Sequence, residues 1–79
     1  MKKIKLGKSN NYALIDNEDF KQISKFKWFS NNKAVRTDQK GIIITLARMI
    51  MNLSKKNRKI VDHINNNIFD NRKQNLRIV

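Results

Sequence analysis

The chain has 79 residues, with 18 Lys and Arg against 6 Asp and Glu, a net charge of +12 and no cysteine. That length holds one small core, and the missing cysteines exclude disulfides, thiolate zinc sites and cysteine nucleophiles. Such an excess of one sign is unfavourable for an isolated compact domain and points to a polyanionic partner.

The cations are spread along the chain and do not line one face of a long amphipathic helix, which favours nucleic acid over a membrane surface. Met1-Lys2-Lys3 runs into Ile4-Lys5-Leu6-Gly7-Lys8, with charges where a signal peptide needs an apolar run. No stretch approaches the roughly 20 apolar residues of a membrane span. A cytoplasmic protein without a membrane partner is expected.

Residues 2–6 and 12–15 are strand-like and joined by Gly7-Lys8-Ser9-Asn10-Asn11. Asp16 or Asn17 is placed to cap a helix near 18–26, with Asp19 at the positive end of its dipole. Phe20, Ile23 and Phe26 give that helix an apolar face, followed by Trp28 and Phe29. Ala34-Val35-Arg36 and Ile42-Ile43-Ile44 read as a hairpin turned at Asp38-Gln39-Lys40-Gly41. Thr45 is suited to cap a second helix, in which Leu46, Met49, Ile50 and Leu53 recur at helical spacing. Those aromatic and Met residues are read as core.

Ser54-Lys55-Lys56-Asn57-Arg58-Lys59 is a basic loop suited to phosphate contact. The last twenty residues, Ile60-Val61-Asp62-His63-Ile64-Asn65-Asn66-Asn67 through Asn75-Leu76-Arg77-Ile78-Val79, read as strand, polar loop and strand. The one histidine, His63, adjoins Asp62 at the end of the first strand. Phosphodiester hydrolysis needs an activated water, a cation on the phosphate and help for the departing oxygen. A neutral imidazole can take the water's proton, a carboxylate can hold a divalent metal, and an amide can orient the imidazole.

Val61-Asp62-His63-Ile64-Asn65, followed by Asp70-Asn71-Arg72 and Asn75-Leu76-Arg77, resembles the HNH endonucleases (His-Me finger, ββα-metal) of phages and group I introns. Tyr12-Ala13-Leu14-Ile15-Asp16, Asp19-Phe20, Phe26-Lys27-Trp28, Ala34-Val35-Arg36 and Arg48-Met49-Ile50-Met51 extend the resemblance to small phage proteins of that family over nearly the whole chain. The resemblance implies His63 as general base, Asn75 as the amide orienting it, and Asp62 as ligand to Mg²⁺ or another divalent cation. Asp70, Asn71 and Arg72 would shape the loop. Lys55, Lys56, Arg58, Lys59, Arg72, Lys73 and Arg77 are the expected nucleic-acid contacts.

Three departures accompany it. Ala47-Arg48 stands where relatives carry His-Arg, and Asn65-Asn66-Asn67 where they carry Asn-Gly-Asn. The chain also stops at Val79, ahead of the helix that brings the family's remaining metal ligand.

The expected fold is α+β in a single domain of residues 1–79. A small antiparallel sheet with one or two short helices fills 1–53, and an HNH-type hairpin without its final helix fills 60–79, packed on Leu46, Met49 and Ile50. Three functions stay open: a double-stranded-DNA-binding protein impaired in cleavage, an active metal-dependent nicking endonuclease or a fragment of one, and a phage inhibitor of a host defence protein. RNA binding is a minor fourth. A bare two-stranded hairpin also suggests a homodimer through its exposed face.

Overall fold

Lys2–Lys5 (β1) and Tyr12–Ile15 (β2) pair antiparallel, with Lys2 opposite Ile15 and Lys5 opposite Tyr12. Side chains alternate along each strand, so Ile4, Ala13 and Ile15 enter the core while Lys3, Lys5 and Tyr12 face outward. The computed structural model describes residues 1–8, 10–30, 35–54 and 56–79; Ala34 of the expected hairpin and Lys55 of the basic loop lie outside them.

The helix expected over 18–26 is much shorter. A 3-10 turn at Asn17–Asp19 leads into α1, Phe20–Ile23. Neither Asp16 nor Asp19 makes a side-chain cap. The Asp16 carboxylate accepts the distant backbone N–H of Lys73 instead, at 3.0 Å. At the end of the helix the Ile23 carbonyl accepts the Phe26 N–H at 3.2 Å and the Trp28 indole N–H at 2.8 Å. The indole bond fixes Trp28 in the core.

Phe29–Ser30 (β3), Val35–Gln39 (β4) and Ile42–Thr45 (β5) form a three-stranded antiparallel sheet. Its β4–β5 turn is tighter than the four-residue turn expected. Lys40 (φ 54) and Gly41 (φ 82) both have positive φ, the signature of a two-residue turn matched to strand twist. Thr45 does cap Leu46–Ile50 (α2), its hydroxyl accepting the Arg48 N–H at 3.4 Å. Asn52 at φ 57 closes that helix, leaving Leu53 beyond its end.

Val61–His63 (β6) and Leu76–Ile78 (β7) form the C-terminal hairpin, with Asp62 opposite Arg77 and His63 opposite Leu76. Leu76 enters the core with Leu46 and Ile50, and Val61 and Met49 pack against them. A two-stranded hairpin is marginal by itself. This one is joined to β2, because Leu14 donates to the Phe69 carbonyl at 2.7 Å and Asn71 donates to the Leu14 carbonyl at 2.8 Å. The loop thereby forms a parallel bridge beside β2. A second parallel bridge, Leu6 to Trp28, links β1 to the start of β3. The fold is α+β, as expected, and no helix among the described residues is long and apolar enough to cross a membrane.

Candidate nucleic-acid interface and histidine cleft

The loop between β6 and β7 is built by asparagine side chains acting as backbone substitutes. Asn65 and Asn67 accept N–H groups two residues ahead, from Asn67 at 2.9 Å and Phe69 at 3.0 Å. Asn66 takes φ 63, so the Asn-for-Gly departure is accommodated in the left-handed region that asparagine tolerates. Buried Asn75 closes the loop: its amide donates to Asn65 Oδ1 and to the Asp70 carbonyl, both at 2.9 Å, and accepts the Asn65 N–H at 3.1 Å.

This corrects the part expected of Asn75, whose side chain holds the loop and makes no bond to His63. The partner of His63 is Asn71, with Nε2 to Oδ1 at 3.0 Å. The Asn71 amide nitrogen donates to the Ile68 carbonyl at 3.0 Å, which turns its oxygen toward the imidazole. An amide oxygen can only accept, so Nε2 is the donor and Nδ1 is the ring nitrogen left without a partner among the described residues. Asn71 is fully buried, and its backbone N–H is the one bonded to Leu14. The imidazole is thus referenced to the central strand β2 through a single residue.

Val61 and His63 line one cleft of ≈ 240 Å³ together with Thr45, Ala47, Arg48 and Asn71. Ala47 contributes only a methyl group to this cleft, and His63 is the chain's one histidine. Asp62, between Val61 and His63 on the strand, alternates to the other face. Its Oδ2 accepts from Arg77 Nε at 3.0 Å and from the terminal guanidinium nitrogen at 2.9 Å. Asp62 and His63 therefore do not converge, and the carboxylate expected to hold a divalent ion already has a cation. A site for Mg²⁺ rarely rests on one carboxylate without substrate phosphates. These residues do not fit a preformed metal centre.

Among the described residues, the acid cluster with metal-like spacing is elsewhere, at Asp16, Glu18 and Asp19. Lys73 occupies it, its ammonium lying 2.9 Å from Glu18 Oε1 and 3.2 Å from Asp19 Oδ1. Both carboxylates raise the Lys73 ammonium above its ordinary value.

The cations named from sequence divide into two sets. Arg72 forks onto buried Asp70, Nε to Oδ1 at 2.8 Å and a terminal nitrogen to Oδ2 at 2.7 Å. That guanidinium holds the Asp70 carboxyl below the ordinary carboxylate range, against the opposing effect of burial. Lys73 and Arg77 are engaged as described. Lys56, Arg58 and Lys59 are exposed and form no ion pair among the described residues.

Arg48 shapes that second set. Its guanidinium donates to the carbonyls of Lys59 at 2.6 Å, Ser54 at 2.7 Å and Asn57. Asn57 Oδ1 in turn accepts the Lys59 N–H at 2.9 Å. Three carbonyls converging on one planar donor fix a loop that has no strand or helix among its described residues. Arg48 and Thr45 line both the His63 cleft and a second one of ≈ 380 Å³, which Ile43, Ile44, Met49 and Leu53 also line. Sequence reasoning passed over Arg48 as a contact to the loop. The signal was faint: one arginine on a helix followed by a run with no partner of its own. No protein family, curated protein or solved structure matches this chain.

Proposed function

We propose that the chain binds double-stranded DNA through the loop carrying Lys56, Arg58 and Lys59, on an HNH endonuclease-like scaffold impaired in cleavage. The observation that carries the binding is the set of unpaired cations beside the His63 cleft, held there by Arg48. Their charge is available to displace counterions from duplex phosphates. The impairment rests on Asp62, which is tied to Arg77 and turned off the face of His63. An imidazole alone can accept a proton from water, but the developing charge on the phosphate then lacks a cation fixed opposite it.

An active nicking endonuclease is the second reading, and one observation favours it. His63 is held with Nε2 bonded and Nδ1 open, the arrangement a general base requires. The Asp62–Arg77 pair is half exposed, and such pairs are weak enough to open against a phosphate.

Relaxation of supercoiled plasmid with and without Mg²⁺ or Mn²⁺, beside His63→Ala and a gel shift on the same DNA, separates the two. Binding without metal-dependent nicking is expected. Metal-dependent nicking that disappears in His63→Ala would establish the nuclease. Absence of a salt-sensitive DNA complex would sink both readings.

A further inference from the structure

The two bridged hairpins share an outer face. Ile4, Leu6, Ala13, Ile15, Trp28 and Val35 are buried, so one side of β1–β2 and of β3–β4 forms the core side. The Leu6–Trp28 bridge places those two residues on the same side of adjacent chains, and the Gly7 N–H donates to the Trp28 carbonyl at 2.8 Å. Alternation then sends Lys3, Lys5, Tyr12, Phe29 and Arg36 to the opposite side. The register agrees, with Lys5 opposite Tyr12 and Phe29 opposite Arg36. A Cβ on Gly7, the residue after core-facing Leu6, would lie 3.9 Å from Phe29 Cβ, which puts the two parts of the face in contact.

Each aromatic on this face carries a cation. The Lys3 ammonium lies 5.9 Å from the Tyr12 ring centre, and the Arg36 guanidinium 5.4 Å from that of Phe29. Tyr12 is 47% exposed, and Phe29 is half-buried. Lys3, Lys5 and Arg36 have no carboxylate partner among the described residues. Four of the six carboxylates, Glu18, Asp19, Asp62 and Asp70, are engaged by Lys73, Arg77 and Arg72.

Two flat rings set among cations that lack a carboxylate partner, on the outer faces of two bridged sheets, match what an unpaired strand presents. Bases stack on rings, and phosphates reach ammonium and guanidinium groups. A duplex offers no such base faces, because its bases are stacked on one another. We infer that the outer face of β1–β2 and β3–β4 is a second nucleic-acid site, which takes unpaired bases of DNA on Tyr12 and Phe29 with Lys3, Lys5 and Arg36 on the phosphates. It rests on the DNA-binding reading above and extends it, from duplex contact at the Lys56–Lys59 loop to junctions where the strands separate.

The test is a titration of wild-type protein with a short single strand containing 2-aminopurine and with the matching duplex. Tyr12→Ala, Phe29→Ala, Tyr12→Phe and the triple loop variant Lys56→Ala/Arg58→Ala/Lys59→Ala are titrated alongside. Quenching of 2-aminopurine reports stacking, and thermal melts confirm that each variant is folded. Tyr12→Ala is expected to weaken the single-strand complex roughly 5- to 100-fold and abolish the quenching, with Tyr12→Phe restoring both. The triple loop variant should weaken the duplex complex more than the single-strand one.

Single-strand binding that is unchanged in Tyr12→Ala overturns the inference and leaves the duplex reading standing. So does duplex binding with no single-strand complex at all. Preference for RNA over DNA strands, with the same dependence on Tyr12, overturns the assignment to DNA. Binding to neither form removes the DNA-binding reading and this inference together.

Discussion

The loop at 56–59 and the segment at 72–77 each carry three described cations, and they stand in opposite electrostatic states. Lys56, Arg58 and Lys59 have no acidic partner among the described residues and are held through backbone carbonyls by Arg48. Arg72, Lys73 and Arg77 each face carboxylates at 2.7–3.2 Å, on Asp70, on Glu18 and Asp19, and on Asp62. The number of described cations is the same in both places. What differs is where the few acids of the chain are folded. In the first region the cations remain free to meet phosphate, and in the second they tie the hairpin to itself and to the 3-10 turn at Asn17–Asp19.

The largest expected effect falls on the free set. Replacing Lys56, Arg58 and Lys59 together by Ala should lower duplex affinity on the order of 100-fold at moderate salt. It should also flatten the log–log salt slope by about 3, with little change in melting temperature. Titrations at several salt concentrations check this. A slope unchanged from wild type would place the phosphate contacts elsewhere.

For the paired set the expected loss is of stability. Asp70→Asn removes the carboxylate that accepts the Arg72 fork, and Asp70 is buried, so about 1–2 kcal/mol is expected at neutral pH by denaturant unfolding. Arg72 holds the folded-state carboxyl below its ordinary value of 3.8. The stabilisation is therefore complete above that value and fades as pH falls through the lowered one. The gap between wild type and Asp70→Asn should narrow only in that acid range. A gap that persists to the acid limit would assign the effect to packing.

Legibility in the sequence followed the same division. Strand pairs with short connections were readable, because Ile4 and Leu6 alternate with exposed lysines and Tyr12–Ile15 is a short apolar run bounded by asparagine and aspartate. The cap at Thr45 was readable because a hydroxyl before an apolar run does one job in one place. The helix over 18–26 is shorter in the structure, Phe20–Ile23, and no local pattern announces that the Ile23 carbonyl turns to the Phe26 N–H and the Trp28 indole. In the site, the motif located His63, Asp62 and Asn75 but not their partners. Asn71 and Asn75 are chemically alike, and only the loop's three-dimensional path decides which amide reaches the imidazole. Lys73 meets acids more than fifty residues away, at a separation that no pattern of spacing reports.

Arg48→Lys tests whether loop shape matters apart from charge. Lysine keeps the positive charge but cannot span three carbonyls with a planar fork. Duplex affinity is expected to fall a few-fold, roughly 3- to 10-fold, while amide exchange at Lys59 and Asn57 quickens. Affinity and exchange both equal to wild type would show that the loop needs no latch.

The smallest expected effect is also the sharpest contrast. Arg77→Gln and Lys59→Gln remove the same charge from exposed side chains, one in the paired segment and one in the free loop. If availability governs binding, Lys59→Gln should cost roughly 3- to 5-fold in duplex affinity and about one unit of salt slope. Arg77→Gln should stay within about 2-fold, because the lost cation was shared with Asp62 over a half-exposed contact worth little in stability. The variant also releases the Asp62 carboxylate. Added Mg²⁺ should then tighten its DNA complex slightly, where it leaves wild type unchanged or weaker by ordinary competition for phosphates. Equal losses in the two variants would mean that phosphate opens the Asp62–Arg77 pair on binding. The carboxylate would then stand free beside bound DNA, as an active nuclease requires.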